Sequence, residues 1–313
     1  MPLGRQGITC AGNWIVDRVK LIDAWPQEER LANVLSETRG GGGGAHNVCI
    51  GLARMGAPFP LRAVGVVGDD EDGRWLLTEA FHNTVDITGL HKTKEASTSY
   101  TDVMTVKGTG RRTFFHSRGA NKLLRPQHLE LGPSKILHLA YLLLLDGIDA
   151  AAAQVLQRAR AAGVKTSIDL VSADRESYKR VVLPALEHVD YLFLNDFEAG
   201  ECAERELRKK DGTLDRDAVR EAAVALRRDN LVIIHMPEGA FAASREGEVW
   251  VPAKPVEKVV STVGAGDAFA AGTLYGLHEG WPVQQAMDLG HLAAAACLGH
   301  ETTTGGLRPV AEL

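Results

Sequence analysis

The segment Ser261-Thr262-Val263-Gly264-Ala265-Gly266-Asp267-Ala268-Phe269-Ala270-Ala271-Gly272 carries the strongest structural signal in the chain. We predict a strand at Val256–Val260 before it and a helix at Ala268–Leu277 after it. Glycines at the start of a helix leave backbone N–H groups free to bind an anion, and the helix dipole adds to the attraction. Asp267 can accept a proton from a hydroxyl that attacks the same anion. Together these features indicate phosphoryl transfer, although a glycine turn with an N-terminal aspartate explains the same letters without a ligand.

Upstream of this segment, short apolar runs alternate with amphipathic segments. The apolar runs are Ile136–Ala140, Val164–Ile168, Tyr191–Leu194 and Leu231–His235. The predicted helices between them are Asp149–Ala162, Arg175–His188 and Asp215–Arg228. This alternation predicts an α/β fold with a parallel sheet covered on both faces.

The first third of the chain is less regular. We predict strands at Ile8–Ala11 and Leu61–Val67, and a helix at Asn47–Met55. Ser99–Val106 and Arg112–His116 are rich in Tyr, Thr, Val and Phe and are joined by a Gly-containing turn, which predicts a hairpin. A hairpin inside an α/β chain indicates a small sheet outside the main one.

The composition is that of a folded, slightly acidic protein. The chain has 313 residues, 45% of them hydrophobic and 24% charged, with a net charge of −5. Disorder is therefore not expected, and no basic field favours a nucleic-acid partner. The four cysteines form no CxxC pair, so we expect buried thiols and a reducing, cytoplasmic location. Met1–Gly7 lacks a signal-peptide pattern, and no apolar run is long enough for a membrane span.

Five motifs resemble those of the ribokinase family, the pfkB-type carbohydrate kinases. They are Gly12-x-x-x-x-Asp17, Gly42-Gly43-x-x-x-Asn47, Val67–Gly73, Asn195-Asp196-Phe197-Glu198 and Gly264-Ala265-Gly266-Asp267. Five motifs in the right order, over nearly the whole chain, are far more specific than any one of them. The resemblance implies a single ribokinase-like α/β domain over 1–313, with a Rossmann-type parallel sheet flanked by helices. It also implies a small β-sheet lid formed by about 13–45 and 96–120.

The resemblance implies a role for each motif. Asp267 is the expected catalytic base, and Gly264, Ala265 and Gly266 are expected to form the anion hole under the transferred phosphoryl group. The expected substrate-binding residues are Asp17, Gly42, Gly43, Asn47 and Arg118. The expected nucleotide-binding residues are Asn195, Glu198, Gly239 and His291. The implied cofactors are ATP and Mg²⁺, with Glu198 holding Mg²⁺ through water.

Three positions depart from the family pattern. Ser261 stands where many members have an Asp that helps to hold a monovalent cation, so activation by such a cation is doubtful. Ile234–Gly239 keeps only the last glycine of the usual Thr-x-Gly-x-x-Gly nucleotide loop, and Pro237 has no N–H to offer. His291 stands where a residue often flanks the adenine, but a His on an alanine-rich helix is also an ordinary packing residue.

The sequence leaves the acceptor open. We expect a kinase that phosphorylates a hydroxymethyl group of a small sugar, of ribose, fructose or sugar-acid type. A nucleoside kinase and a non-catalytic sugar- or nucleotide-binding paralogue are the alternatives. Arg118 could pair with a carboxylate or phosphate, or be a solvated charge. Trp14, Tyr100 and Phe114 could stack on a base, pack inside the lid or join two lids in a homodimer.

Overall fold

The alternation of strands and helices is confirmed by a computed structural model, which describes residues 4–313. The strands are β1 Ile8–Gly12, β2 Ile15–Ile22, β3 Val34–Gly42, β4 Leu61–Gly68, β5 Asp86–Thr93, β6 Tyr100–Val106, β7 Arg112–Ser117, β8 Ile136–Leu142, β9 Lys165–Leu170, β10 Tyr191–Asn195, β11 Leu231–Met236, β12 Gly239–Ala243 and β13 Glu248–Pro252. The longer helices are α1 Gly44–Arg54, α2 Glu71–His82, α3 Ala152–Ala161, α4 Asp196–Ala203, α5 Arg216–Leu226, α6 Ala265–Glu279 and α7 Val283–Leu298.

The large sheet has the strand order β13-β12-β11-β10-β9-β8-β1-β4-β5. All neighbours from β11 to β5 pair in parallel, while β12 and β13 add an antiparallel edge. Two separate clusters of buried apolar side chains pack against this sheet and the helices around it. The carboxyl ends of the parallel strands therefore meet at one edge, which is where ligands bind in open α/β sheets.

The small sheet has the order β3-β2-β6-β7, and β6 with β7 forms the predicted hairpin. β2 pairs with β3 in antiparallel and with β6 in parallel, so two distant segments of the chain build it. The expectation of a small sheet outside the main one is confirmed. Its action as a lid stays a prediction.

One predicted strand is wrong. Val256–Val260 is not a strand, because the Val260 N–H donates to the Leu298 carbonyl at the end of α7 instead of to a neighbouring strand. Arg175–His188 is helical throughout, as predicted, with π-helical geometry over Tyr178–Val182 and a 3-10 turn at Leu186–His188. Pro184 lies inside that segment and has no N–H to donate to the preceding turn.

The predicted helix Asp149–Ala162 is confirmed as a 3-10 turn, Asp149–Ala151, that continues into α3. The Asp149 carboxylate accepts the Leu143 and Leu145 N–H groups of the preceding loop at 3.0 and 3.3 Å. All four cysteines are buried free thiols, as predicted. Within 4–313 the chain contains no helix with the length and hydropathy of a membrane span. Met1, Pro2 and Leu3, which open the segment searched for a signal peptide, lie outside the described residues.

Candidate active site

The site is built around the first turn of α6, which begins three residues earlier than predicted. Gly264 precedes this turn with φ 82° and ψ 0°, a left-handed conformation that favours glycine. A side chain there would also collide with Thr303, whose Cβ lies 2.7 Å from the position of an added Cβ. The N–H groups of a first helical turn have no partner inside the helix. The amides of Ala265, Gly266 and Asp267 are therefore available to an anion.

The Asp267 carboxylate lies in this turn and is only 5% exposed. Its Oδ2 accepts hydrogen bonds from Asn47 Nδ2 at 2.7 Å and from the Tyr141 hydroxyl at 3.0 Å. No side chain of residues 4–313 donates to the other oxygen, Oδ1. Since both protein donors hold Oδ2, Oδ1 is left to accept a proton from a ligand.

Burial, followed by the nearby charge of Asp169, raises the pKa of Asp267 to about 7. The hydrogen bonds from Asn47 and Tyr141 oppose this shift, because they stabilise the charged form. A general base works best when its pKa is near the working pH. The environment of Asp267 therefore suits proton abstraction near neutrality.

An acidic cavity of about 400 Å³ opens between α6 and the small sheet. Its acidic lining residues are Asp17, Asp169, Glu198 and Asp267. Burial raises the pKa of Asp17 to about 6 and that of Glu198 to about 7. In the described part of the chain, no Lys or Arg side chain lines this cavity. The cavity therefore offers many hydroxyl acceptors and no fixed positive charge.

The small sheet covers the acidic cavity with one face of its hairpin. Its lining residues from β6 and β7 are Thr101, Val103, Phe114 and His116. Of the three aromatic residues singled out in the sequence, only Phe114 reaches the cavity. Trp14 is fully buried and packs against His46. The Arg18 guanidinium lies over the Tyr100 ring, with its Cζ 4.4 Å from the ring centroid.

Three of the expected sugar-binding residues line the acidic cavity: Asp17, Gly43 and Asn47. Gly42 does not line the cavity itself. A Cβ on Gly42 would lie 2.2 Å from Asp17 Oδ2, so the absence of a side chain here leaves space for the Asp17 carboxylate. Gly43 has φ 89° and starts α1. Asn47 turns its Nδ2 toward Asp267, and its Oδ1 accepts from the Thr303 hydroxyl at 2.9 Å. The structure thus places Asn47 against the expected base as well as in the cavity.

Arg118 does not line the acidic cavity, unlike three of the other expected substrate-binding residues. Its guanidinium is 42% exposed and donates to Asp146 Oδ1 at 2.5 Å, outside the lining of the acidic cavity. Arg118 follows β7 and precedes a short 3-10 helix, Gly119–Leu123, which directs its side chain away.

A second, largely apolar cavity of about 550 Å³ runs beside α6 and α7. His291 lines it, together with apolar side chains from the segment after β13 and from both helices. Asn195, His235 and Gly266 line both cavities, so the two cavities meet at these residues. Gly239 does not line either one. A Cβ on Gly239 would lie 2.4 Å from the Val251 carbonyl oxygen, so its close approach is to β13.

Asn195 and Glu198 begin α4 as a reciprocal pair. Asn195 Oδ1 accepts from the Glu198 N–H at 2.8 Å, and Glu198 Oε2 accepts from the Asn195 N–H at 3.0 Å. This capping box accounts for part of the motif without any ligand. Both side chains nevertheless line the acidic cavity, where β10 ends.

The residues near Glu198 fit a loosely held magnesium ion. Over 4–313, no group of three or more His, Cys, Asp or Glu side chains is arranged to bind a metal directly. Mg²⁺ usually takes one or two carboxylates and fills its remaining positions with water and phosphate oxygens. Glu198 is 5% exposed, and burial, with the nearby charges of Asp169 and Asp267, raises its pKa to about 7. A cation beside this carboxylate would favour its charged form.

Sequence reasoning missed Tyr141, Asp169 and His235. Each follows or ends a strand that was predicted correctly, β8, β9 and β11, at the carboxyl edge of the sheet. Tyr141 has φ 57°, and its N–H donates to Asp169 Oδ1 at 2.5 Å. The rule that ligands bind at this edge would have found all three. The positive φ of Tyr141, which turns its hydroxyl toward Asp267, has no signal in the sequence.

The flanked parallel sheet and the small separate sheet define a ribokinase-like α/β fold, and the Asp267 carboxylate lies at a helix N-terminus in the cavity between them. The ribokinase of Arabidopsis thaliana, solved in complex with ribose and ATP, superposes with a TM-score of 0.82 at 18% identity, covering 99% of this chain and 97% of its own. The model of the pfkB family carbohydrate kinases matches residues 8–309. This chain belongs to that family and is a carbohydrate kinase.

Two curated relatives extend over similar lengths. An ATP-dependent ribose-1-phosphate kinase of Halopiger xanaduensis is 28% identical over 290 residues, which cover 92% of this chain and 90% of the relative. A 5-dehydro-2-deoxygluconokinase of Geobacillus kaustophilus is 24% identical over 307 residues, covering 92% and 86%. Their names describe different acceptors.

Stability should depend on pH through Asp267. The folded state raises the pKa of Asp267 from 3.8 to about 7, so it keeps a proton that the unfolded chain releases. The stability given by this proton is full below about pH 4 and is lost as the pH rises through about 7. We therefore expect Asp267→Asn to raise the melting temperature, relative to the wild type, by several degrees more at pH 8 than at pH 5.

Differential scanning fluorimetry at both pH values measures this effect. Asp229→Asn is the matched control, because Asp229 is an exposed surface residue paired with Arg245. A melting difference for Asp267→Asn that stays the same at both pH values would show that the carboxylate is not held with a raised pKa.

Proposed function

We propose that this protein transfers the γ-phosphoryl group of ATP to a hydroxymethyl group of a small sugar, with Asp267 as the general base. The observation that carries the proposal is the position of Asp267. Its free Oδ1 belongs to a carboxylate that lines the acidic cavity, one residue from Gly266, where the acidic and apolar cavities meet. A base and an anion-binding helix N-terminus are thus adjacent at the junction of two ligand-sized spaces.

The reaction follows from this placement. The acceptor occupies the acidic cavity, where Asp17 accepts hydrogen bonds from its hydroxyl groups. Asp267 takes the proton of the attacking hydroxyl as its oxygen bonds to the γ-phosphorus, and the bond to the β–γ bridging oxygen breaks to release ADP. The amides of Ala265 and Gly266 stabilise the charge on the phosphoryl oxygens. Mg²⁺, when bound near Glu198, neutralises part of the phosphate charge.

The small sheet completes the site as a lid. Thr101, Val103, Phe114 and His116 form the cavity wall that faces α6. A wall of this kind excludes water, which would otherwise compete with the sugar for the phosphoryl group. No monovalent cation is part of the proposal. Ser261 accepts from Arg112 Nη1 at 3.0 Å, so a positive charge already lies beside it.

The central test is Asp267→Asn. The amide keeps the shape of the side chain and can accept from Asn47 and Tyr141, but it cannot take a proton from the acceptor. We expect the turnover number to fall about 10²- to 10⁴-fold, which is the usual contribution of a general base. Coupled measurement of ADP release with saturating MgATP gives this value.

Asp229→Asn serves again as the control and should keep wild-type turnover, because it lies outside both cavities. Unchanged turnover in Asp267→Asn would refute Asp267 as the base. A wild-type protein that binds MgATP and phosphorylates no acceptor would instead favour the binding-only paralogue.

The charge of the acidic cavity indicates a neutral acceptor. Four carboxylates line it, and within the described residues the lining holds no Lys or Arg. Arg112 lies in β7 and donates a hydrogen bond to Ser261. Arg118 follows β7 and donates a hydrogen bond to Asp146. A phosphate or carboxylate on the acceptor would meet like charge without a partner. The relative from Halopiger xanaduensis is named for a phosphorylated acceptor, so we propose that the two proteins differ here.

A panel of acceptors tests this proposal. We expect ribose, fructose or adenosine to be phosphorylated with a kcat/KM at least about tenfold higher than that of ribose 1-phosphate, fructose 6-phosphate or 2-keto-3-deoxygluconate. Preference for any anionic member would overturn the neutral-acceptor proposal while leaving the kinase intact. Adenosine tests the second candidate, a nucleoside kinase, which the position of Phe114 in the cavity wall favours because its ring could stack on a base.

The outer surface of the small sheet supports a homodimer through the lids. Large apolar side chains are exposed on it and on the β2–β3 connection: Trp25, Leu31, Val34, Leu35 and Phe115. Trp25 stacks on Phe115 with ring centroids 6.1 Å apart. An exposed aromatic pair with further exposed apolar side chains on the same small sheet is typical of an interface, and we propose a second copy of this chain as its partner. We further propose a cytoplasmic location, which suits the buried free thiols.

We expect the wild type to sediment as a dimer at micromolar concentration and the double variant Trp25→Ser, Phe115→Ser to sediment as a monomer. The double variant should keep its melting temperature within a few degrees, because both side chains are half exposed. A wild type that is monomeric at the same concentration would contradict the proposal.

A further inference from the structure

His235 lies at the junction of the acidic and apolar cavities and has no role in the mechanism so far. It is near the end of β11, and its register partner on β10 is Asn195. Both residues line the two cavities, as does Gly266 in the first turn of α6. A group at the junction of the two cavities therefore lies beside His235, Asn195 and Gly266.

The imidazole ring is held against the anion-binding turn. A Cβ added to Gly266 would lie 3.0 Å from His235 Cε1 and 3.5 Å from Nε2, so the ring edge contacts this glycine. The Phe269 ring lies on another side, with centroids 5.4 Å apart. The two contacts leave the ring little freedom, and any side chain at 266 would displace it.

The ring nitrogens of His235 have no protein partner. Among the buried histidines, His138 bonds to Ser167 and His278 bonds to Glu279. Within the described residues His291 Nε2 has no partner either, but this ring lines only the apolar cavity. Within 4–313, no hydrogen bond involves a nitrogen of His235, and the ring is partly exposed where it lines the cavities. A polar ring that is fixed in place and lacks a protein partner is arranged to bind a ligand atom.

We propose that His235 donates a hydrogen bond from its ring N–H to an oxygen of the transferred phosphoryl group, beside the amides of the α6 first turn. This inference rests on the proposed kinase function and adds a residue to the anion hole. It identifies a donor from β11 where Ile234–Gly239 departs from the usual glycine-containing nucleotide loop.

The protonation state of His235 agrees with this role. Burial lowers its pKa to about 4, while Asp169 and Asp196 oppose the shift and His291 adds to it. The ring is therefore neutral at physiological pH and carries one N–H donor. A neutral donor can bind a phosphoryl oxygen without forming an ion pair with the carboxylates of the acidic cavity.

The test compares nucleotides of different length. His235→Phe keeps a flat ring against Gly266 and Phe269 but removes the donor. Titration calorimetry of the full chain with Mg²⁺ and either ADP or the β,γ-imido analogue of ATP measures both affinities. We expect the triphosphate analogue to bind roughly tenfold to a hundredfold more weakly than to the wild type, and ADP to bind almost unchanged. His235→Gln restores a donor and should recover part of the loss.

The matched control is His291→Phe, a second histidine of the same nucleotide space. His291 lines only the apolar cavity, so its replacement should change the affinities for ADP and the triphosphate analogue by the same factor. Equal losses for both nucleotides in His235→Phe, or no loss for either, would overturn the assignment. Binding needs no turnover, so an absence of kinase activity in the wild type would count against the proposed function alone.

Discussion

A carboxylate kept out of water at the start of α6 governs the arrangement of the rest of the site. Burying a charge costs several kcal/mol unless hydrogen bonds compensate it. Asp267 obtains this compensation from Asn47 on α1 and from Tyr141 at the end of β8, and its place in a first helical turn is also favourable. Three elements that are distant in sequence must therefore converge within hydrogen-bond distance. Gly264 permits this, since a side chain there would collide with Thr303.

The acidic cavity brings four carboxylates close together. Asp169 raises the pKa of both Glu198 and Asp267, so the carboxylates disfavour one another's ionisation. This repulsion raises the cost of keeping the carboxylates charged. A cation or a hydroxyl donor that enters the cavity stabilises their charged forms. The same physical cause gives the proposed base its near-neutral pKa and underlies the proposals of magnesium near Glu198 and of a neutral acceptor. The proposed catalysis and specificity therefore share one electrostatic origin, and a change to Asp169 would disturb both.

The sequence predicts the architecture well because the signals involved are local. Alternating apolar runs located β8 to β11, and the glycines before Asp267 located the first turn of α6 within three residues. Long-range effects were not predictable in this way. The exposed position of Arg118 depends on Asp146, and the absence of a strand at Val256–Val260 depends on the end of α7. The left-handed backbone of Tyr141 is imposed by its surroundings, since no turn residue marks it.

Thr303 connects two distant segments of the chain at the candidate active site. Its hydroxyl lies within hydrogen-bond distance of two acceptors, the Gly41 carbonyl at 3.0 Å and Asn47 Oδ1 at 2.9 Å, and Asn47 in turn donates to Asp267. During synthesis, the N-terminal members of this chain of bonds leave the ribosome long before Asp267 and Thr303 exist. Contacts between such distant residues close large loops, which makes their formation slow. The proposed catalytic centre therefore cannot form until the segment that carries Thr303 has been synthesised and has docked against α1.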